Sequence, residues 1–520
     1  MPYQSVGNRR NNVQFGVGRT VWVGTHPAAI PERILDMIPG GLAWLALFVL
    51  LGLAYVAPLA AVLAAGLLAF YSAVRFSFAA VANLLGHRLI RRWEATDWRA
   101  EYARRAAAGS LPLDAVHHVV IIPNYREDIA TLRRTLDHLA RQRDAATSIN
   151  IVLAMEVGED GAVAKGQALQ SEYGGCFENF LVATHPKGLS GEMQCKSANQ
   201  AWAARWARRT MVDELGYNID HLVITTMDSD TLWHPNYFEA LRVLFATDPR
   251  RYATFWQAPI RYHGNVWAIN PLMRILHAYS SAWELAYLAA PWWQALPMSS
   301  YSLSLRLLDS TGYWDPDVIA DEWHMYIKSY FQRDGDVWLQ PIFLPFYANA
   351  TTGDTVLAAI KERYLQTLRH AWGAKEIGYT IAQMSENPQI SFLGGFNLLF
   401  RVAHDNLLAG VGWIIMMFGM QFPMLFRPDV VRANLFTAPG LLLQISATIV
   451  TLLTLIFWAI DLRIRPPRPK PWTWGERLYE LVSLPLIAVM TFLCVAMPVL
   501  HSQTRLMLGI PLQFRVAAKR

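Results

Sequence analysis

Charge is missing from long stretches of this 520-residue chain: residues 37–74, 406–426, 433–460 and 481–504 contain no Asp, Glu, Lys or Arg. Over the whole chain only 17% of residues are charged and 53% are hydrophobic, where a soluble protein carries nearer a quarter charged residues. Each of the last three runs is long enough to cross a hydrocarbon core of roughly 30 Å, which takes about 20 apolar residues. The first run has room for two helices, with Pro58 at the natural break. Run length argues for membrane spans over buried core helices. Cysteine is scarce too: Cys176, Cys195 and Cys494 lie far apart with no CxxC spacing. That pattern excludes a disulfide scaffold and gives no zinc signature. The first apolar block begins some 35 residues in and is too long for a cleaved signal peptide, so it reads as retained. Internal repeats, low-complexity tracts and nucleic-acid motifs are all missing.

What charge there is flanks the apolar runs. The net charge is +6, and "HRLIRRWEATDWRAEYARR" and "RIRPPRPKPWTWGER" each follow an apolar block. Cytoplasmic flanks are enriched in Lys and Arg, so both flanks, with the Arg9/Arg10 end, are expected inside. Anionic lipid headgroups, and not nucleic acid, are the partners that this placement fits. The chain then divides into a cytoplasmic lead (1–36), two transmembrane helices (37–80) and a basic connector (81–114). A soluble α/β domain (115–385) follows, then an interfacial helix (386–405), about three transmembrane or re-entrant segments (406–504) and a basic tail (505–520). The expected protein is a multi-pass plasma (inner) membrane protein with its α/β domain in the cytoplasm.

Within 115–385, "HHVVIIPNY", "INIVLAMEV" and "HLVITTMD" read as buried strands, with "DIATLRRTLDHLARQ" and "SANQAWAARWARR" as helices between them. Strand–helix alternation implies βαβ units and a mostly parallel sheet. Ligands in such sheets bind beyond the carboxyl ends of the strands. These three strands end in Asn124, Glu156 and the Asp228-Ser229-Asp230 triplet, so one shared crevice is expected. Two carboxylates at a strand end suit a hard divalent cation, Mg²⁺ or Mn²⁺, which keeps waters and substrate phosphates in its remaining positions. The alternative is a pair of turn-capping aspartates.

The order of motifs resembles that of the membrane-embedded family 2 glycosyltransferases, the group with cellulose, chitin and hyaluronan synthases and ceramide glucosyltransferase. The likeness covers roughly residues 115–385. It consists of Glu156 in "LAMEVGED", the D-x-D at Asp228 and Asp230, the acidic pair Asp321-Glu322 in "VIADEWHMY", and "QTLRHAW" with Gln366, Arg369 and Trp372. "VIIPNYRE", "GEMQCKSANQAW" and "FWQAPIRYHGN" are similar to further family segments. The resemblance implies a GT-A-like α/β domain inserted between transmembrane helices. It also implies inverting transfer from a nucleotide diphosphate sugar, most often a UDP-sugar, to a lipid or polysaccharide acceptor. On that basis Glu156 would meet the base or ribose, Lys196 the nucleotide's charge, Asp228 the nucleotide and metal, and Asp230 the metal. The acidic pair would supply the general base. Gln366, Arg369 and Trp372 would line the acceptor and diphosphate side.

The chain departs from the family pattern at two points. The family's acidic pair is usually Glu then Asp. Alignment by position puts Glu322 in the base slot, and alignment by residue type puts Asp321 there. His370 and Ala371 stretch the Q-x-x-R-W motif, so Trp372 is either a stacking residue or an interfacial anchor. His324, after the acidic pair, reads first as a hydrogen-bonded core residue, and Glu159 and Asp160 read as turn residues. Trp292 and Trp293 are either sugar-stacking or packing aromatics. "FRVAAK" (514–519) resembles a gating loop of cellulose-synthase-like enzymes, which requires a cytoplasmic tail. Five spans from a cytoplasmic start would leave the tail outside. Pro485 and Pro498 mark the last run as the one to be interfacial or re-entrant. A transporter or receptor with a nucleotide-binding domain is the reading from another class. It would place ionisable residues within the spans, where the sequence shows only Arg75.

Overall fold

The computed structural model describes residues 30–512. The first 29 residues and the "FRVAAK" stretch lie outside the described residues. Strands occur at β1 (His117–Asn124), β2 (Ile149–Glu156), β3 (Asn179–His185), β4 (Leu222–Thr226), β5 (Thr254–Gln257), β6 (Ile260–Arg261), β7 (Tyr301–Ser304), β8 (Trp338–Pro341) and β9 (Phe346–Tyr347). Seven of them form one sheet in the order β3-β2-β1-β4-β7-β5-β8. Only β7 runs against its neighbours, pairing antiparallel with both β4 and β5. The domain is therefore mixed α/β with a mostly parallel central sheet, as the strand–helix alternation predicts. β6 and β9 form a separate parallel pair.

The Val and Ile runs make the central strands because both sheet faces are covered. Val119 to Ile122 and Ile151 to Met155 are fully buried. One face packs under the helix Lys196–Arg208, whose Ala198, Ala201, Ala203, Ala204 and Ala207 are buried and let it approach the sheet closely. "HLVITTMD" is the fourth strand in the chain. β3 precedes it and extends the sheet beyond β2. In parallel register Asn124 aligns with Met155 and Ile121 with Thr226. The ends of β1, β2 and β4 thus open on one edge.

Five helices are long and apolar enough to cross a membrane: Glu32–Val56, Pro58–Glu94, Phe392–Phe418, Ala438–Ile464 and Ile487–Leu508. Many of their large apolar side chains point outward, among them Phe48, Phe70, Phe396, Ile445 and Leu452, the surface expected against lipid. The third helix runs unbroken through residue 405, where the charge pattern places the end of an interfacial helix too short to span. Arg401, His404 and Asp405 therefore sit inside a span-length helix. They meet Arg75 there: Asp405 pairs with Arg75 at 3.2 Å and with Arg401 at 2.5 Å. The spans thus hold more ionisable residues than the charge-free runs suggest, and these form one internally paired cluster.

The last helix begins and ends against the α/β domain. Met490 and Cys494 pack with Met273, Ala350 and Ala359. His501 Nδ1 is 2.9 Å from the Tyr364 hydroxyl, and Leu506 packs on Trp372. Its other side lies against the first helix, close enough at Gly40 that a Cβ there would fall 2.5 Å from the Gln503 carbonyl oxygen. A buried network ties the fourth helix to the domain. His263 lies 2.9 Å from Asp461, Arg465 bonds Asp461 and Glu480, and Arg274 bonds Glu480 at 2.7 Å.

Candidate active site

Asp228 lies just past β4, where the parallel edge opens. Its Oδ1 accepts from Lys196 Nζ at 2.7 Å and its Oδ2 from Ser299 Oγ at 2.9 Å. Its backbone N–H donates to Ser300 Oγ at 3.1 Å. Lys196 opens the helix on which Gln200 lies. The same Nζ also donates to the Ser299 carbonyl at 3.1 Å and lies 4.0 Å from Glu322 Oε1. One ammonium thus joins the D-x-D and the acidic pair, whose nearest members, Asp230 and Asp321, are 91 residues apart in sequence. Arg369 faces the same space, with the charges of Asp228, Glu322 and Asp321 acting on it.

Asp321 and Glu322 form the first turn of the helix Asp321–Gln332. A helix N-terminus favours carboxylates by about 0.3–1 kcal/mol, but burial outweighs it. Burial first, then the neighbouring Asp321, pushes the Glu322 carboxyl up to about 8, with Lys196 opposing. Burial likewise raises Asp321, against Lys196 and a hydrogen bond from Gln200. Lys196 is drawn down by burial and up more strongly by Asp228, Asp321 and Glu322, and ends above its usual value. The two acids differ in access. Asp321 is 4% exposed and held by Gln200 Nε2, itself fixed by Thr226. The Glu322 side chain is 26% exposed.

Asp230 is buried, and its Oδ2 accepts from the Asn349 backbone N–H at 2.9 Å. Leu232 pairs with Tyr347 and fixes that approach. Among the described residues no three His, Cys, Asp or Glu side chains cluster as a metal cage. A D-x-D with hard oxygens, one of them accessible, fits a cation that takes one or two carboxylates plus phosphates. Glu156 sits farther along the edge, its Oε1 2.9 Å from His185 Nδ1, while His185 Nε2 lies 2.8 Å from Glu192. The two carboxylates hold His185 above its usual pKa against the opposing effect of burial.

The remaining candidates divide. Gln366 is turned to Thr351 and Arg363, which donate to its Oε1 at 2.5 and 2.9 Å. Trp372 is buried in an apolar cluster with Ala374, Leu506, Ile319 and Leu512 and does not join the carboxylates. His324 is locked between Asp315 and Glu376 at 2.8 and 2.9 Å, an internal ion network that Lys328 completes. Trp292 packs on Phe78, and Trp293 stacks with Tyr287. Glu159, read as a turn residue, binds Asn124 Nδ2 and the Arg126 N–H and pairs with Lys165.

Several site residues carry no motif of their own. Ser299 holds Asp228 from a backbone with φ of 57°. Gln257 holds that turn, accepting from Met298 N–H at 2.9 Å and donating to the Ser300 carbonyl at 3.1 Å. The "FWQAPIRYHGN" segment is the one signal that pointed toward it.

No protein-family model matches the chain, and no curated protein matches it. Among solved structures it is similar to a mannosyltransferase from Pyrobaculum calidifontis in complex with GDP-Man and Mn²⁺. The identity is 14% over 82% of this chain and 97% of that one, with a TM-score of 0.39. It is also similar to TarS residues 1–349 of S. aureus in complex with UDP-GlcNAc, at 12% identity over 68% and 93% of the two chains and a TM-score of 0.31. These structural neighbours are glycosyltransferases. Overlaps this loose carry no argument about the present chain, so its chemistry is read from its own side chains.

Proposed function

We propose that the chain is an inverting, metal-dependent glycosyltransferase that moves a sugar from a nucleotide diphosphate sugar to a hydroxyl acceptor at a membrane. The observation that carries this reading is Lys196, which contacts Asp228 at 2.7 Å and lies 4.0 Å from Glu322. A diphosphate-binding end and a proton-accepting end therefore adjoin one small space. A divalent cation on Asp228 and Asp230 would neutralise the diphosphate as a leaving group. Lys196 and Arg369 supply further positive charge there. Glu156, with Oε1 engaged by His185, offers its other oxygen to a base N–H or ribose hydroxyl. Glu322, the more accessible acid, takes the proton from the acceptor hydroxyl as it attacks the anomeric carbon opposite the diphosphate.

The membrane reading follows from the five long apolar helices. With the last helix touching the domain at both ends, it fits a re-entrant or interfacial segment. That arrangement leaves the end of the chain on the domain's side, which basic flanks make cytoplasmic. Leu512, packed near Trp372 and Ile319, brings the chain close to the acidic pair there.

The test is diphosphate release by purified protein in detergent from a panel of nucleotide sugars with Mg²⁺ or Mn²⁺. At least one donor should turn over, and Asp230→Ala should remove the activity. Inert behaviour toward every donor would defeat the proposal. Labelled donor then separates processive from single transfer, as a product ladder against one product.

A further inference from the structure

Beside the reaction centre lie three polar side chains that the transfer chemistry does not use. Tyr262 follows β6, Glu284 lies on the helix Pro271–Ala289, and Arg363 lies on the helix Val356–His370. The Tyr262 hydroxyl donates to Glu284 Oε1 at 3.3 Å. Glu284 Oε2 is shielded from water and has no hydrogen-bond partner. Arg363 donates from one terminal nitrogen to Gln366, and its Nε is likewise shielded and unpartnered. The Arg363 charge acts on both Glu284 and Tyr262, and the Asp228 charge acts on Tyr262. β6, which Tyr262 follows, pairs with β9, and Tyr347 of β9 pairs with Leu232 two residues after Asp230, so the group adjoins the D-x-D end of the site. All three residues are only half-buried. Tyr262 is itself positioned by Ser281 and by His277, whose ring centroid is 4.7 Å away. Folded proteins seldom leave a buried acceptor and a buried donor open beside each other.

We propose that Glu284, Tyr262 and Arg363 form a subsite for the hydroxyl groups of a neutral, sugar-bearing acceptor. This rests on the glycosyl-transfer reading and names the acceptor class for it. Position assigns the subsite to the acceptor and not to the nucleotide. Glu156 occupies the β2–β3 arm of the sheet, whereas Trp283 and Ala286, beside Glu284, pack on Phe76 and Phe457 of the membrane helices. The helix that carries Glu284 thus lies where the α/β domain meets the membrane helices, away from the Glu156 arm. Charge assigns a neutral ligand. The unpartnered acceptor Glu284 Oε2 beside the unpartnered donor Arg363 Nε matches a hydroxyl, which both donates and accepts, better than a phosphate dianion, which only accepts. Burial pushes the Glu284 carboxyl up to about 8, with Tyr262 and Arg363 opposing. At neutral pH it is mostly the free acid, which both donates to and accepts from hydroxyls.

The test uses the full chain in lipid nanodiscs with the donor found by the screen above. Neutral oligosaccharides and alkyl glycosides are offered as acceptors, with a polyprenyl phosphate as the anionic alternative. Neutral glycosides should stimulate diphosphate release. Glu284→Gln and Arg363→Met should each raise the KM for them tenfold or more, while the donor KM moves less than threefold. Tyr262→Phe, which removes a single hydroxyl, should raise the acceptor KM about threefold, and serves if a larger change fails to fold. Unchanged acceptor KM in the variants, or stimulation by polyprenyl phosphate alone, would overturn the subsite. A wild-type protein that releases no diphosphate from any donor would instead remove the transfer reading on which the subsite rests.

Discussion

In the proposed reaction, Glu322 and Lys196 carry the chemistry at the scale of single residues. A unit charge 4 Å away contributes roughly 4 kcal/mol at an effective dielectric of 20. Lys196 spreads that attraction over Asp228, Asp321 and Glu322, and it does not offset the burial of Glu322 together with the Asp321 charge. The folded protein therefore holds the Glu322 proton more tightly than a free glutamate does. The base form appears only as pH rises through about 8. Below that value kcat/KM should fall about tenfold per pH unit, with an apparent pKa belonging to the Asp321–Glu322 pair. A pH–rate profile checks this, and a flat profile from pH 6 to 9 would remove the assignment. Because the Lys196 charge lowers the Glu322 pKa, Lys196→Met should shift the same limb to higher pH. It should also raise the donor KM on the order of tenfold, through the lost contact to the diphosphate.

Among the elements, the turn at 298–300 matters as much as the strand that carries Asp228. Gln257, at the end of β5, satisfies the Met298 N–H and the Ser300 carbonyl, and the turn in turn supplies Ser299 and Ser300 to Asp228. Gln257→Leu leaves both backbone groups buried and unpaired, at about 1–3 kcal/mol each. Urea unfolding should report a loss of about 2–6 kcal/mol, accompanied by weaker donor binding. This tier of the site was the least legible in the sequence. β1, β2 and β4 stand out as continuous Val and Ile runs because both their faces are covered. β3 is half-buried, and β5 and β7 are four residues each, too short for a period. The D-x-D and the acidic pair could be read from residue type and order. Ser299 and Gln200 could not, because each meets its partner, Asp228 or Asp321, only through sheet topology. His324 had the composition of a site residue, yet it serves an internal ion network.

For the whole molecule, the charge-free runs located the apolar helices, but not how they are arranged. Residue type does not reveal that the last helix lies along the domain, since a span and a re-entrant helix have the same composition. If the chain end lies on the domain's side, Ile510→Cys should react with a membrane-impermeant thiol reagent in inside-out vesicles and be protected in right-side-out vesicles. The opposite pattern would make the last helix a true crossing. Breaking the network between the fourth helix and the domain should also be felt globally. Glu480→Leu leaves Arg274 buried without its carboxylate and Arg465 with Asp461 alone, a loss of about 3–5 kcal/mol, visible as a lowered Tm. The central claim is that a proton acceptor at Glu322 works in the same small space as the diphosphate at Asp228. The most direct test is turnover by Glu322→Gln at saturating donor, metal and acceptor. The account predicts a drop of about 10²–10⁴-fold with donor affinity kept within a few-fold, and turnover close to that of the unaltered protein would contradict it.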